Sequence, residues 1–296
     1  MSPLAKLSES SRRAHAAAPE DVPPELWDVL GHFGLNAGNA NVIMQLSRLP
    51  VGHGVARSTV DSGRVDKHPI KRLRTTVSYL AVALLGTEEE RSAMRAEVNR
   101  AHKSVHSQPS DPVEYNAFDP ELQLWVAACL YWGTEDLFRL MGVELSPERT
   151  EAFYQYSKRL GTTLQVSDDM WPADRKAFEE YWQEGLRQVE MDDLTRGYLQ
   201  SIAQLEFLTK PLGPLGAPLR PLLRPLGRFL TLGYLPEQFR QELGLPWGPR
   251  RQRLFDLNVR VYAAVTRRLP RPLREFPLNV YLRDVRSRIR RGRPIV

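Results

Sequence analysis

One stretch in the middle of the chain constrains the fold more than any other. The run LQLWVAACLYW, residues 122–132, is apolar on nearly every side of a helix, and it follows an Asp119-Pro120 pair typical of helix starts. A helix that is apolar all round needs other elements to cover it on every side. The sequence therefore predicts a helix at the centre of a bundle.

The rest of the chain also has helical periodicity and helix-start signals, without the alternation typical of strands. Thr87 followed by Glu90 forms a capping-box pattern, which predicts a helix running to Val105. Ser146 before Pro147 predicts another helix start. Near the carboxyl end we expect helices over residues 236–244, 249–269 and 271–290. The predicted fold class is all-α, a single large helical bundle.

The segment 210–236, KPLGPLGAPLRPLLRPLGRFLTLGYLP, is so dense in proline and glycine that no long regular helix is expected before Pro225. Our first interpretation is an irregular strap over the bundle. The alternative is a shallow membrane-interface element, with leucines in the headgroup region and arginines on phosphate.

Charge is distributed unevenly along the chain. Residues 210–296 hold 19 Lys and Arg against 5 Asp and Glu, whereas residues 1–209 hold 22 against 30. Such asymmetry fits a solvated basic face paired within the molecule, or attraction to an anionic lipid surface or nucleic acid. The chain contains no recognisable nucleic-acid motif, and we expect no nucleic-acid partner.

The chain has no signal-like or membrane-spanning apolar run, so we expect a cytoplasmic protein, with peripheral membrane contact through the basic carboxyl-terminal third as an option. The single cysteine, Cys129, lies within the apolar run and is expected to be a reduced core residue. It cannot form a disulfide framework or a thiolate metal site.

Two histidines stand one helical turn apart in EVNRAHKSVHS, residues 97–107. A helical wheel places His102 between an apolar stripe and a polar edge with Arg91, Arg95 and His106. By itself this pattern fits a hydrogen-bonded core histidine. Zinc is disfavoured because Lys103 stands where the glutamate of H-E-x-x-H would be. Haem needs only one axial imidazole, and arginines can pair with its propionates.

The preceding helical segment, residues 68–86, has a second face that is not typical of a solvated surface. That face carries Arg72, Thr75, Thr76 and Tyr79 at helical spacing, instead of the usual lysines and glutamates. The face belongs either to a helix packed on two sides, with the hydroxyls bonded to preceding carbonyls, or to a binding site.

Six segments, in this order, carry a resemblance: NVIMQLSRLPVGHGVARST, PIKRLRTTVSYLAVALLGTEEE, VNRAHKSVH, YNAFDPELQLWVAACL, LSPERTEAFYQYSKRLG and GYLPEQFRQELGLPWG. Together they resemble the family that groups the oxygenase MpaB with the catalytic domain of latex clearing protein, a rubber oxygenase. The resemblance extends from about residue 28 to about residue 280.

The resemblance implies an all-helical fold around one b-type haem. It maps the proximal iron ligand onto His102, and it maps a distal Arg-x-x-Lys/Arg-Thr pattern onto Arg72, Thr75 and Thr76. Arg72 could donate to a propionate, to the oxidant or to substrate, and Thr76 to the oxidant. Arg91 and Arg95 are further candidate contacts to the cofactor.

The chain departs from the family pattern on the distal side. Rubber oxygenase has a distal lysine where this chain has Thr75, so the sixth iron position is expected to hold water or lie open. Family members commonly carry an acid and a histidine after Gly-Val, whereas this chain has Arg57 and Ser58. We keep Arg57 as a candidate cofactor contact. His53 is a candidate distal acid or base, or a structural loop histidine.

Two functional hypotheses follow. The first is a haem b-dependent oxygenase or oxidoreductase that uses dioxygen or peroxide on a lipophilic small molecule. The second is a non-catalytic helical module that binds lipid or a partner at an anionic membrane. In either case we divide the chain into a flexible amino-terminal segment (1–22), a helical domain (23–290) and a basic tail (291–296).

Overall fold

The fold is all-α. A computed structural model describes residues 3–16, 22–23, 26–58 and 67–295, and within these ranges the regular elements are helices. The β-type pairing in the described residues is one isolated antiparallel bridge, between His106 and Asn116. The predicted fold class is therefore confirmed.

The helices vary in length from four to 22 residues. In chain order they are α1 (Pro3–Ala16), α2 (Leu26–Leu30), α3 (His32–Leu46), α4 (Leu49–Ala56), α5 (Pro69–Leu85), α6 (Glu88–His102), α7 (Pro120–Met141), α8 (Pro147–Ser157), α9 (Arg159–Thr162), α10 (Arg175–Arg187), α11 (Asp193–Ala203), α12 (Glu206–Thr209), a 3-10 helix (Lys210–Leu219), α13 (Arg220–Tyr234), α14 (Glu237–Glu242), α15 (Pro249–Arg268), α16 (Arg271–Arg274) and α17 (Leu278–Arg290).

Helix α7 is the central helix that the apolar run predicted. The Asp119 carboxylate accepts hydrogen bonds from the first free N–H groups of the helix, and Gly142 ends it in the left-handed conformation. Trp125, Cys129 and Tyr131 are fully buried. Helices α2, α3, α9 and α15 pack against it. Burial raises the pKa of the Cys129 thiol, so this side chain is an inert core residue.

Helix α6 begins as predicted and ends earlier than predicted. The Thr87 hydroxyl and the Glu90 carboxylate form the reciprocal capping box. The helix ends at His102 instead of Val105 because the backbone of residues 105–107 pairs with that of residues 115–117. His102 therefore lies in the last turn of α6, where the chain turns away.

The carboxyl-terminal third is more helical than its proline content predicted. Residues 210–219 form the irregular 3-10 stretch, but α13 starts at Arg220 and continues through Pro225. Pro225 lies inside this helix, where it removes one backbone hydrogen bond and crowds the carbonyl of the preceding turn, and the helix continues despite that cost. The helix predicted over 271–290 is interrupted at residues 275–277, just before α17.

Both ends of the described chain are folded against the bundle. Residues 3–16, expected to be flexible, form α1, which packs on α16 and α17. At the other end, the side chain of Ile295 is buried and its carbonyl accepts a hydrogen bond from Arg74 at 2.7 Å. The tail residues 291–295 thus lie on α5. Among the residues that the structure describes, no helix combines the length and the apolar character that crossing a bilayer requires.

Candidate functional site

A cavity of about 450 Å³ lies between α3, α4, α5, α6, α7 and the connection between α6 and α7. This volume is within the range of roughly 300–1,000 Å³ that small-molecule sites occupy. Leucine and valine side chains supply much of its wall, among them Val98, Val126 and Leu130. Polar side chains converge on it from α5 and α6.

The polar face of α5 faces this cavity. Arg72, Thr75, Thr76 and Tyr79 all line it. The Thr75 hydroxyl donates to the carbonyl of Lys71 at 3.0 Å, which is the backward bond expected of a helical threonine. The Tyr79 hydroxyl donates to the carbonyl of Leu160, and burial raises the pKa of its phenol. Thr76 has no hydroxyl partner among the described residues and is free to bind a ligand.

Arg72 is the cationic group of the α5 face. Its guanidinium has no ion-pair or hydrogen-bond partner among the described residues. Burial lowers the pKa of Arg72, and the nearby Tyr198 phenol acts in the opposite direction. A guanidinium that is partly withdrawn from water and has no carboxylate partner is suited to an anionic ligand.

His102 brings an imidazole to the same cavity from the end of α6. Burial, reinforced by the charge of Arg72, lowers the pKa of His102 to about 4. Its Nδ1 atom is buried and has no hydrogen-bond partner in the structure, and the Phe118 ring lies edge-on at 6.3 Å between ring centroids. At neutral pH the imidazole is therefore uncharged, which is the form that binds metal ions.

Sequence reasoning missed a carboxylate in the cavity wall. Glu97 lines the cavity and is buried, and both guanidinium nitrogens of Arg100 donate to it, at 2.7 and 3.0 Å. The signal available in the sequence was the i, i+3 spacing of the pair, which by itself indicates only a surface ion pair.

Further polar residues of the wall were also missed, among them Gln45, Tyr115 and Gln123. Gln123 is buried and donates to the carbonyl of Ala117 at 2.7 Å. Gln45 and Gln123 lie in segments that carry the family resemblance, so a signal was present. Tyr115 is the first residue of the segment YNAFDPELQLWVAACL and lies next to the bridge between His106 and Asn116.

Two arginines predicted to contact a cofactor lie elsewhere. Arg91 pairs with the carboxylate of Glu88 in the first turn of α6. Arg95 donates to the carbonyl of Thr162. Neither side chain is part of the cavity wall. A contact between either residue and a propionate stays a prediction that this geometry does not support.

Arg57 and His53 also lie outside the cavity wall. The Arg57 guanidinium pairs with Asp111 at 2.7 Å. His53 is a residue of α4 and not of a loop; it is buried, and its Nε2 lies 2.7 Å from the carboxylate of Asp192. The position of His53 fits its structural interpretation better than that of a distal acid or base.

The described residues contain no group of three or more His, Cys, Asp or Glu side chains that could hold a metal ion. A haem iron needs only a single protein ligand, because the porphyrin supplies the others. Among the described residues that line the cavity, one is a histidine, His102, and it is the candidate for this single ligand.

Comparison with known proteins identifies the family of the chain. Residues 27–268 match the family described as ER-bound oxygenase mpaB/B'/Rubber oxygenase, catalytic domain. Two proteins described as uncharacterized, one from Mycobacterium bovis and one from Mycobacterium tuberculosis, are each 46% identical over 257 residues, which is 87% of this chain and 98% of theirs. No solved structure matches. The chain belongs to the MpaB and rubber oxygenase catalytic-domain family of oxygenases.

Proposed function

We propose that this protein is a haem b-dependent oxygenase that acts on a lipophilic small molecule. The observation that carries the proposal is the neutral His102 imidazole, which lines a cavity of about 450 Å³ together with the unpaired guanidinium of Arg72. Membership of an oxygenase family supports the reaction class.

The residues present fit a haem. The donor is a single uncharged imidazole whose Nδ1 is buried and unpaired. Arg72 offers a guanidinium to a propionate carboxylate, and the aliphatic side chains of the wall offer apolar surface to the porphyrin. The haem would supply binding and reduction of dioxygen or peroxide, and the oxidising power for the substrate.

The chain's own residues would hold and orient the reactants. His102 fixes the cofactor from the end of α6. The Thr76 hydroxyl, free of a partner among the described residues, donates a hydrogen bond on the α5 side, whereas the Thr75 hydroxyl is engaged with its own helix. Val98, Val126 and Leu130 keep water from the reacting centre and give the site its preference for an apolar substrate.

Absorption spectroscopy of freshly purified protein tests the cofactor assignment. We expect a Soret band that shifts with dithionite and again with carbon monoxide. His102→Ala should lose the band, while His106→Ala, which changes an exposed histidine four residues away, should keep it. An intact band in His102→Ala would refute the assignment of the ligand.

The same experiment distinguishes the haem-dependent oxygenase from a non-catalytic binding module. A folded but colourless wild-type protein that takes up no added haemin would instead make the cavity a binding site of a non-catalytic module. The shared cavity is compatible with either function, so the spectrum and not the fold decides between them.

A further inference from the structure

The outer face of α15 carries an apolar stripe that no described element covers. Leu254, Leu257, Val261 and Val265 follow the helical spacing of three and four residues, and each side chain is between 52% and 58% exposed. The inner face of the same helix is buried through Phe255 and other residues of the core. The helix is therefore apolar on two sides, and only one of them is explained by the fold.

Arginines flank this stripe without carboxylate partners. Six of them lie on α15: Arg250, Arg251, Arg253, Arg260, Arg267 and Arg268. Where a hydrogen bond is formed it goes to a backbone carbonyl, as from Arg251 to Pro246 or from Arg267 to Met141. None of the six is paired with a carboxylate of the described residues, and Asp256 is the single acidic residue of the helix.

Arginines elsewhere in the molecule behave differently. Arg139 on α7 pairs with Asp136, and Arg187 on α10 pairs with Glu184, although both guanidiniums are largely exposed. The positive charge of α15 is therefore uncompensated locally. The arginines of α15 account for part of the excess of basic residues in the carboxyl-terminal third.

The apolar exposure continues on the neighbouring helix. Helix α13 packs against α15 through Phe229 and Phe255, whose ring centroids are 6.0 Å apart. Leu219, Leu222 and Leu226, at the start of α13, are 43%, 69% and 48% exposed. Two adjacent helices thus expose leucines at helical spacing, an extent that scattered surface leucines do not reach.

We propose that the exposed face of α15 docks in the plane of an anionic lipid bilayer. The aliphatic stripe would enter the boundary between headgroups and acyl chains, and the flanking arginines would extend along it to bind lipid phosphates. Membrane docking of this kind does not depend on haem. It would bring the protein to the bilayer, where a lipophilic molecule is dissolved.

The charges and shape of the face disfavour protein partners. In a dimer formed through this stripe, the flanking arginines of one copy would lie close to those of the other, with one acidic residue on each helix to compensate. A partner helix binds in a concave apolar groove. Side chains that are each more than half exposed stand out from the surface, as expected of residues that insert into a lipid layer.

Vesicle co-sedimentation of the full-length protein tests the proposal. We expect binding to vesicles of equimolar phosphatidylcholine and phosphatidylglycerol, none to phosphatidylcholine alone, and weakening with added salt. Both Leu257→Ser/Val261→Ser and Arg253→Gln/Arg260→Gln should lower the partition coefficient by roughly 10- to 30-fold. Because all four side chains are exposed, the variants should keep the wild-type unfolding midpoint.

Matched controls change the same residue types elsewhere. Leu4→Ser/Leu194→Ser removes two exposed leucines from α1 and α11, and Arg139→Gln/Arg187→Gln removes the same charge from α7 and α10. Both should bind vesicles as the wild type does. Failure of the wild type to bind, equal losses in controls and test variants, or a dimer abolished by Leu257→Ser/Val261→Ser would overturn the proposal. Haem content of the same samples, read from the Soret band, reports separately on the proposed oxygenase function.

Discussion

At the level of single residues, burial decides what His102 can do. An exposed histidine is partly protonated near neutral pH, but the lowered pKa of about 4 leaves this imidazole uncharged over the physiological range. Arg72 contributes to the shift from across the cavity. The same pair of side chains therefore provides an uncharged metal donor and a cation for an anionic group.

The lowered pKa predicts an acid-dependent loss of stability in the haem-free protein. Between pH 6.5 and pH 4 the unfolded chain binds a proton at residue 102 that the folded chain does not, so stability falls as the pH drops through this range. From pH 7 to pH 5 the loss should be about 2 kcal/mol. Urea denaturation at the two pH values measures it.

His102→Gln should remove this contribution and so lose less stability between pH 7 and pH 5 than the wild type. His106→Gln is the matched control, since His106 is exposed, and it should follow the wild type. The idea fails if all three proteins show the same pH dependence.

Thr75 stands where the resemblance to rubber oxygenase implies a distal lysine. Its hydroxyl donates to the Lys71 carbonyl. For the proposed haem, we therefore expect the sixth iron position to be open or to hold water. Introducing the amine with Thr75→Lys should block that position. We expect carbon monoxide to stop changing the spectrum of the reduced variant, while Thr75→Val keeps the wild-type response. A carbon monoxide response in Thr75→Lys equal to that of the wild type would show that residue 75 does not face the iron of the proposed haem.

At the level of elements, α4 and α11 are joined by a partly buried polar contact. His53 on α4 meets Asp192, whose other oxygen accepts the Thr195 amide at the start of α11. Partial burial acts to raise the pKa of the Asp192 carboxyl, but these hydrogen bonds outweigh it and lower that pKa to about 2. Gly52 allows the close approach, because a Cβ there would lie 2.7 Å from Thr195.

Since α4 forms part of the cavity wall, this contact supports the site from behind. Asp192→Ala removes a helix cap and leaves the buried imidazole of His53 unpaired, so it should cost about 2–3 kcal/mol of unfolding free energy. Asp193→Ala changes the adjacent, fully exposed carboxylate and should leave the unfolding free energy almost unchanged. Urea denaturation of both variants measures the difference, and equal losses would contradict the structural role of the pair.

The starts of the helices depend on neighbouring residues in the sequence, whereas the end of α6 depends on tertiary contacts. Thr87, Asp119 and Ser146 cap their helices as predicted, because a cap depends on residues within one turn. The end of α6 was placed three residues too late. It depends on backbone pairing with residues 115–117, which are neighbours only in the folded chain.

At the level of the whole molecule, the amino-terminal helix α1 packs against α16 and α17, although it precedes the residues that match the family. Its Ser11 hydroxyl donates to the fully buried Glu275, and Arg283 of α17 donates to Ser10 at 3.0 Å. Glu275 also accepts from Arg271 at 2.6 Å. The segment is thus part of the packed structure.

Deleting residues 1–16 should therefore destabilise the protein without removing the cavity that we propose to hold haem. We expect a loss of at least about 2 kcal/mol, because a buried carboxylate loses a donor and the surfaces of α16 and α17 are uncovered. Urea denaturation reports the stability and the Soret band reports the site. An unchanged unfolding midpoint in the shortened chain would show that α1 adds nothing to the fold.

The sequence by itself determined the helical class, the central helix α7, the caps, and the placement of Arg72, Thr75, Thr76 and His102 on two successive helices. These features depend on periodicity and on neighbours within a few residues. Only the tertiary structure decided which side chains meet. It paired Arg91, Arg95 and Arg57 away from the cavity, brought Glu97 into the wall, and left the arginines of α15 unpaired. Whether a charged group faces a ligand, a carboxylate or solvent depends on groups far away in the chain that the fold brings within a few ångströms.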